Sequence, residues 1–215
     1  MELQATAVKP RLRGVLHEQG FYVSIALGIA LVAAASSQRA LIAALVFALS
    51  VSGLLGVSAL YHRVNWNETP RRWMRRLDHS MIFVLIAGTY TPFALLVLEG
   101  TFAKVILATV WLAAIAGSIV ELVLADASKW IMASICVAFG WVSVVAMPDI
   151  VDDIGVLGTV LLALGGVAYT AGAVIYATKK PNPKPTVFGY HEVFHALVLL
   201  AIALQYCVVA FFVIS

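Results

Sequence analysis

Five residues of this chain have the types and spacing of a metal-dependent reaction centre: Ser58, His62, Asp78, His191 and His195. His191 and His195 are four apart, so on a helix their imidazoles stack on one face about 6 Å apart along the axis. Two rings so placed can converge on one ion. They lie in Gly189-Tyr190-His191-Glu192-Val193-Phe194-His195, which opens the apolar run from Ala196 to Ile214. Ionisable groups at the edge of a hydrocarbon layer are costly to bury and usually mark a site. With His62 as a third imidazole and the fourth position open, the arrangement is that of catalytic rather than structural zinc. Ser58 precedes His62 by one helical turn, where its hydroxyl serves as a donor near the ion or an oxyanion, or bonds back to its own helix. Asp78 has two compatible roles: capping the third helix, whose N-terminal dipole suits a carboxylate, and hydrogen-bonding a water on the ion.

Whether these residues meet depends on the elements that carry them. The chain is 62% hydrophobic and only 12% charged, with a mean hydropathy of +0.99. A soluble domain averages about 45–50% apolar and about 25% charged. The composition therefore excludes an ordinary soluble fold and predicts an all-α, polytopic membrane protein; no pattern of alternating ten-residue segments suggests a β-barrel. The net charge of +3 is too mild for a nucleic-acid partner. Cys136 and Cys207 sit inside apolar runs and read as small packing residues. The polar, basic N-terminus lacks the apolar core and cleavage site of a signal peptide.

Apolar runs of bilayer-crossing length predict seven helices, at about 21–37, 40–62, 77–98, 102–124, 130–147, 154–178 and 188–214. The run 63–76 is a polar, arginine-rich linker, Gly88 and Pro92 are available to bend the third span, Pro148 stops the fifth, and an acidic turn with Asp149, Asp152 and Asp153 follows. The glycine-rich sixth suits close packing in lipid, and the Lys179–Pro185 loop forbids helix. Of the Lys and Arg residues, twelve fall on the side of the N-terminus and two, Arg39 and Lys104, on the other. That bias places the N-terminus in the cytoplasm and the C-terminus outside. With this topology Ser58, His62, Asp78, His79, His191 and His195 all lie within about two turns of one membrane face.

The neighbours have plainer readings. His79 points about 100° away from Asp78 and reads as interfacial packing, while His17 and Glu18, just before the first span on the same side, either reach the site or, as their position favours, are surface residues. Glu121 either snorkels or lines a cavity, and Tyr90-Thr91-Pro92 shapes a bend.

Ser58-x-x-x-His62, Asp78 at the third span and His191-x-x-x-His195 at the seventh, in that order, resemble the pattern of the hemolysin III family, the bacterial branch of the progestin and adipoQ receptors. The resemblance covers nearly the whole chain, including Arg13-Gly14-Val15-Leu16-His17. It implies a seven-helix fold and a zinc held by His62, His191 and His195, with Asp78 on a water of the ion and Ser58 nearby. Relatives in the superfamily are similar to amide hydrolases of ceramide-like lipids. The expectation is thus a plasma-membrane, zinc-dependent lipid hydrolase that admits an acyl chain from the bilayer. The competing expectation is a non-enzymatic, receptor-like or pore-forming protein in which zinc staples helices. Hormone reception is not expected, since the long cytosolic N-terminal domain of the receptors is not seen in these residues.

Overall fold

The computed structural model describes residues 9–123 and 129–214. Among them the secondary structure is helical, apart from an isolated bridge between Lys184 and Phe188. The helices are α1 (Val15–Ala33), α2 (Gln38–Arg63), α3 (Glu68–Leu96), α4 (Gly100–Val123), α5 (Lys129–Gly140), α6 (Met147–Thr178) and α7 (Tyr190–Val208). A 3₁₀ segment, Trp141–Ala146, joins α5 to α6, and a π-helical turn, Val209–Val213, extends α7. α2 packs between α1 and α3, α4 lies on α3, α6 packs on α5 and α7, and α7 returns to α1.

The outside of this bundle is apolar. Ile29, Leu49, Leu112, Val123, Val145 and Phe211 are each about two-thirds exposed, whereas His17, Ser58, His62, Glu121, Glu192 and His195 are buried. Water would penalise so large an apolar surface, and lipid does not. Six helical runs among the described residues are long and apolar enough to cross a membrane. The chain is a multi-pass membrane protein.

Six runs rather than seven result because the segments expected at 130–147 and 154–178 are not separated by a loop. Trp130–Thr178 is one helical run of 49 residues. Pro148 does not stop a helix there. It occupies the first turn of α6, where the missing N–H has no intrahelical partner to lose. Asp149 lies in the same first turn, where a carboxylate suits the helix dipole. The interruption comes at Gly155, with φ +69° and ψ 178°, values that a side chain would resist. The run folds back on itself: Trp141 Nε1–H donates to Thr170 Oγ1 at 3.0 Å across 29 residues, which a straight helix would hold about 43 Å apart.

α3 also departs from expectation. It begins at Glu68, not near residue 77, with Asn67 at its N-cap and Pro70 in its first turn. The arginines of the expected linker therefore ride on helix, because hydropathy marks where the apolar layer begins and not where the helix does. Asp78 is consequently well inside α3 and caps nothing. Gly88 serves close approach: a Cβ there would lie 2.1 Å from Ser50 Oγ of α2. α1 likewise starts at Val15, before the expected residue 21, and this brings His17 into the bundle.

Candidate metal centre

α2 carries Ser58 and His62 on its buried face in the last two turns. A side-chain cap starts this helix, Ser37 Oγ accepting Ala40 N–H at 3.1 Å, and Arg63 beside His62 is anchored to Glu18 Oε2 of α1 at 2.8 Å. α7 presents His191 and His195 in its first two turns. Its start is fixed by Glu192, which is 1% exposed. Glu192 Oε2 accepts the Gly189 N–H at 2.7 Å, and Oε1 accepts Arg13 Nε–H at 2.5 Å. A buried carboxylate holding both an N-terminal amide and a guanidinium sets the rotation of α7, and with it the direction of both histidines.

One ring nitrogen from each of His62, His191 and His195 lies within 4.8 Å of the others. His62 and His195 are buried, and His191 is partly so. His62 Nε2 and His191 Nε2 are 3.1 Å apart, close to the roughly 3.3 Å that two nitrogens on a tetrahedral zinc adopt. The ring centroids are 4.7 Å apart for His62 and His191, 5.0 Å for His62 and His195, and 4.5 Å for His191 and His195. Three neutral donors converging in an apolar surrounding fit a borderline-soft divalent ion. Asp78 Oδ2 lies 3.8 Å from His62 Nε2, and the Ser58 hydroxyl hydrogen-bonds the same carboxylate. The structure thus brings together all five residues singled out by spacing. Ser58 turns its hydroxyl across to Asp78 of α3.

Ser58, Asp78, His191 and His195 line one end of a largely apolar cavity of about 200 Å³ that runs into the bundle. Leu54, Phe93, Ile106, Met132 and Val198 are among its apolar walls. Tyr176 of α6 closes the polar end, its ring 5.9 Å from His191 and 5.3 Å from Phe194.

Three residues have a different place from the one expected. His17 is not on the surface: it is 2% exposed and stacks on His195 with centroids 3.7 Å apart and ring planes 6° from parallel. His79 is not simple packing. Its Nδ1 lies 2.6 Å from Glu121 Oε1, and its ring lines the cavity. Glu121, 3% exposed, resolves its two alternatives in neither way, since it stands behind His79 as its partner. Glu18 is part-exposed, as a surface residue should be. Glu192 belongs to the ionisable stretch that the sequence singles out, but its pairing with Arg13 joins residues 179 apart and has no local mark. An acid at the third position of a helix behind a glycine was the available signal for its cap.

A strap closes the cluster on the side of the N-terminus. Arg11 N–H and Leu12 N–H donate to the carbonyls of Thr186 and Val187 at 3.0 and 3.1 Å, tying the segment before α1 to the loop before α7. Gly14, with φ +79°, turns the strap into α1 directly against His62, where any Cβ would lie 2.6 Å from His62 Cβ. The strap is basic, and partial burial together with the charges of Arg63, Arg13 and Arg71 lowers the pKa of Lys9.

A sequence profile described as Haemolysin-III related matches residues 5–206. The chain is 32% identical over 205 residues to Hemolysin-3 of Bacillus cereus, an alignment covering 93% of this chain and 90% of the relative. It is 30% identical over 170 residues to the Hemolysin-3 homolog of Bacillus subtilis (strain 168), covering 79% and 76% respectively.

Proposed function

Because the chain belongs to the haemolysin-III-related family of membrane proteins, we propose that it is a zinc-dependent hydrolase of lipid amides or esters. The observation that carries this reading is the convergence of His62, His191 and His195 beside Asp78, with Asp78, His191 and His195 lining a largely apolar cavity. The three imidazoles hold the ion. Zinc, when bound, lowers the pKa of water to about 7 and polarises a carbonyl.

The other steps belong to the chain itself. Asp78 orients the attacking water and takes its proton as the C–O bond forms, then delivers that proton to the leaving nitrogen or oxygen as the scissile bond breaks. Ser58 donates its one hydroxyl hydrogen to the Asp78 carboxylate and keeps it in one orientation; once Asp78 has taken the proton of the water, that hydroxyl turns to the developing oxyanion. The apolar walls take the acyl chain and keep bulk water from the carbonyl.

The protein acts from the plasma membrane, crossing it seven times with the N-terminus in the cytoplasm and the C-terminus outside. Two observations favour that topology: the bias of twelve basic residues against two, and the reversal near Gly155, which lets Trp130–Thr178 cross twice.

The test is zinc content per purified protein together with fatty-acid release from a panel of ceramides and ester lipids. Zinc near one per chain and release from at least one lipid are expected. Zinc bound with no lipid turned over would leave the ion as a staple between α2 and α7, the non-enzymatic alternative.

A further inference from the structure

His17 is a fourth imidazole beside the cluster, and it has no evident structural reason to be a histidine. It is 2% exposed, yet neither Nδ1 nor Nε2 has a hydrogen-bond partner among the described residues. The main chain of His195 lies near the ring but not in line for a bond. Buried polar groups are almost always satisfied, so an orphaned imidazole points to a ligand. Phenylalanine would make the same stack on His195 without that cost.

The position is built, not accidental. Gly14 lets α1 close on His62, and the stack at 3.7 Å holds the His17 ring against one member of the cluster. The ring lines the cavity into which Ser58, Asp78, His191 and His195 also face. The mutually convergent nitrogens are nevertheless those of His62, His191 and His195. His17 is one step behind them.

We propose that His17 is a binding residue for the non-protein oxygen ligand, a water or a lipid carbonyl or carboxylate, that meets the three-histidine site from the cavity, and that it does not itself coordinate the ion. One ring nitrogen hydrogen-bonds that oxygen and fixes its direction toward Asp78. The role makes α1 part of the reaction centre, beyond α2, α3 and α7. It rests on the metal reading above but not on hydrolysis.

The experiment uses the full-length protein in detergent with cobalt(II) in place of zinc, whose visible spectrum reports ligand changes. Acetohydroxamate is the oxygen-donor probe. His17→Phe keeps the stack and removes both nitrogens, and His17→Gln keeps a donor and an acceptor. In His17→Phe, cobalt stoichiometry should be unchanged and acetohydroxamate affinity should fall about 10- to 100-fold, the loss of one hydrogen bond to a charged ligand. His17→Gln should recover most of it. Unchanged probe affinity in His17→Phe would overturn the proposal. Loss of cobalt from His17→Phe, as from His62→Ala, would overturn it differently, by making His17 a coordinating ligand. Should His17→Phe not fold, His17→Ala is read in the same way. Wild-type protein that binds no cobalt would remove both this inference and the metal reading, whereas cobalt binding without lipid turnover would leave this inference standing.

Discussion

His79 Nδ1 lies 2.6 Å from Glu121 Oε1, so the one carboxylate buried in α4 is committed to a ring on α3 that faces the cavity. Removing only one partner of a buried pair strands the other. Glu121→Leu should therefore lower stability by about 2 kcal/mol, a figure reduced for the partial exposure of His79. The double change His79→Leu with Glu121→Leu should recover much of the loss. Thermal unfolding of the four proteins in one detergent checks this, and additive losses would show that the pair is not coupled.

The cluster itself makes a sharper prediction. His62→Ala, His191→Ala and His195→Ala should each strip zinc and lower the unfolding temperature, because the ion ties α2 to α7. His79→Ala should keep its zinc. Metal analysis of the purified variants decides, and a zinc-free His79→Ala beside a zinc-loaded His62→Ala would mean that the wrong imidazole has been assigned.

Asp78→Asn separates catalysis from metal binding. Asparagine keeps the shape and the Ser58 contact but cannot take a proton from water. Zinc affinity should weaken by no more than about 10- to 100-fold, while lipid hydrolysis at saturating zinc should fall by about 10²- to 10⁴-fold. Zinc and released fatty acid are measured on the same preparations. Retained zinc with unchanged turnover would defeat the general-base role.

Topology is open to a direct test. Reporter fusions after Pro185 should be cytoplasmic, and those after Asp153 or Ser215 external. A cytoplasmic reporter at Ser215 would require an even number of crossings. Gly155→Ala should cost about 1–2 kcal/mol in the same protein, since φ there is +69° and alanine resists that region. The space around Gly155 is open, so the loss should come from the backbone alone.

The centre was readable where chemistry and period coincide. A four-residue spacing put His191 and His195 on one face, and counting spans brought His62 and Asp78 to the same depth. What hydropathy could not give was where helices start. α1 begins at Val15, inside a polar stretch, so His17 looked like a surface residue although it lies in the bundle. α3 begins at Glu68 among arginines, so Asp78 looked like a cap although it lies mid-helix. Pro148 opens a helix rather than stopping one because proline is disruptive inside a helix but welcome in its first turn, while the positive φ at Gly155 leaves no mark on hydropathy. The partnership of His79 with Glu121 joins residues 42 apart, and no local pattern encodes it.

The distance along the chain between the clustered histidines governs how the site is made. His62 and His191 touch in space but are separated by 129 residues. At a synthesis rate of about 5–20 residues per second, His62 leaves the ribosome on the order of ten seconds before its partners. α1, α2 and α3 must therefore enter the bilayer and persist there without the completed cluster. The strap has the same dependence, since Arg11 and Leu12 bond to Thr186 and Val187, which emerge long after them. The three-histidine cluster thus exists only after α7 inserts, and a nascent chain that stalls before it carries an unfinished pocket.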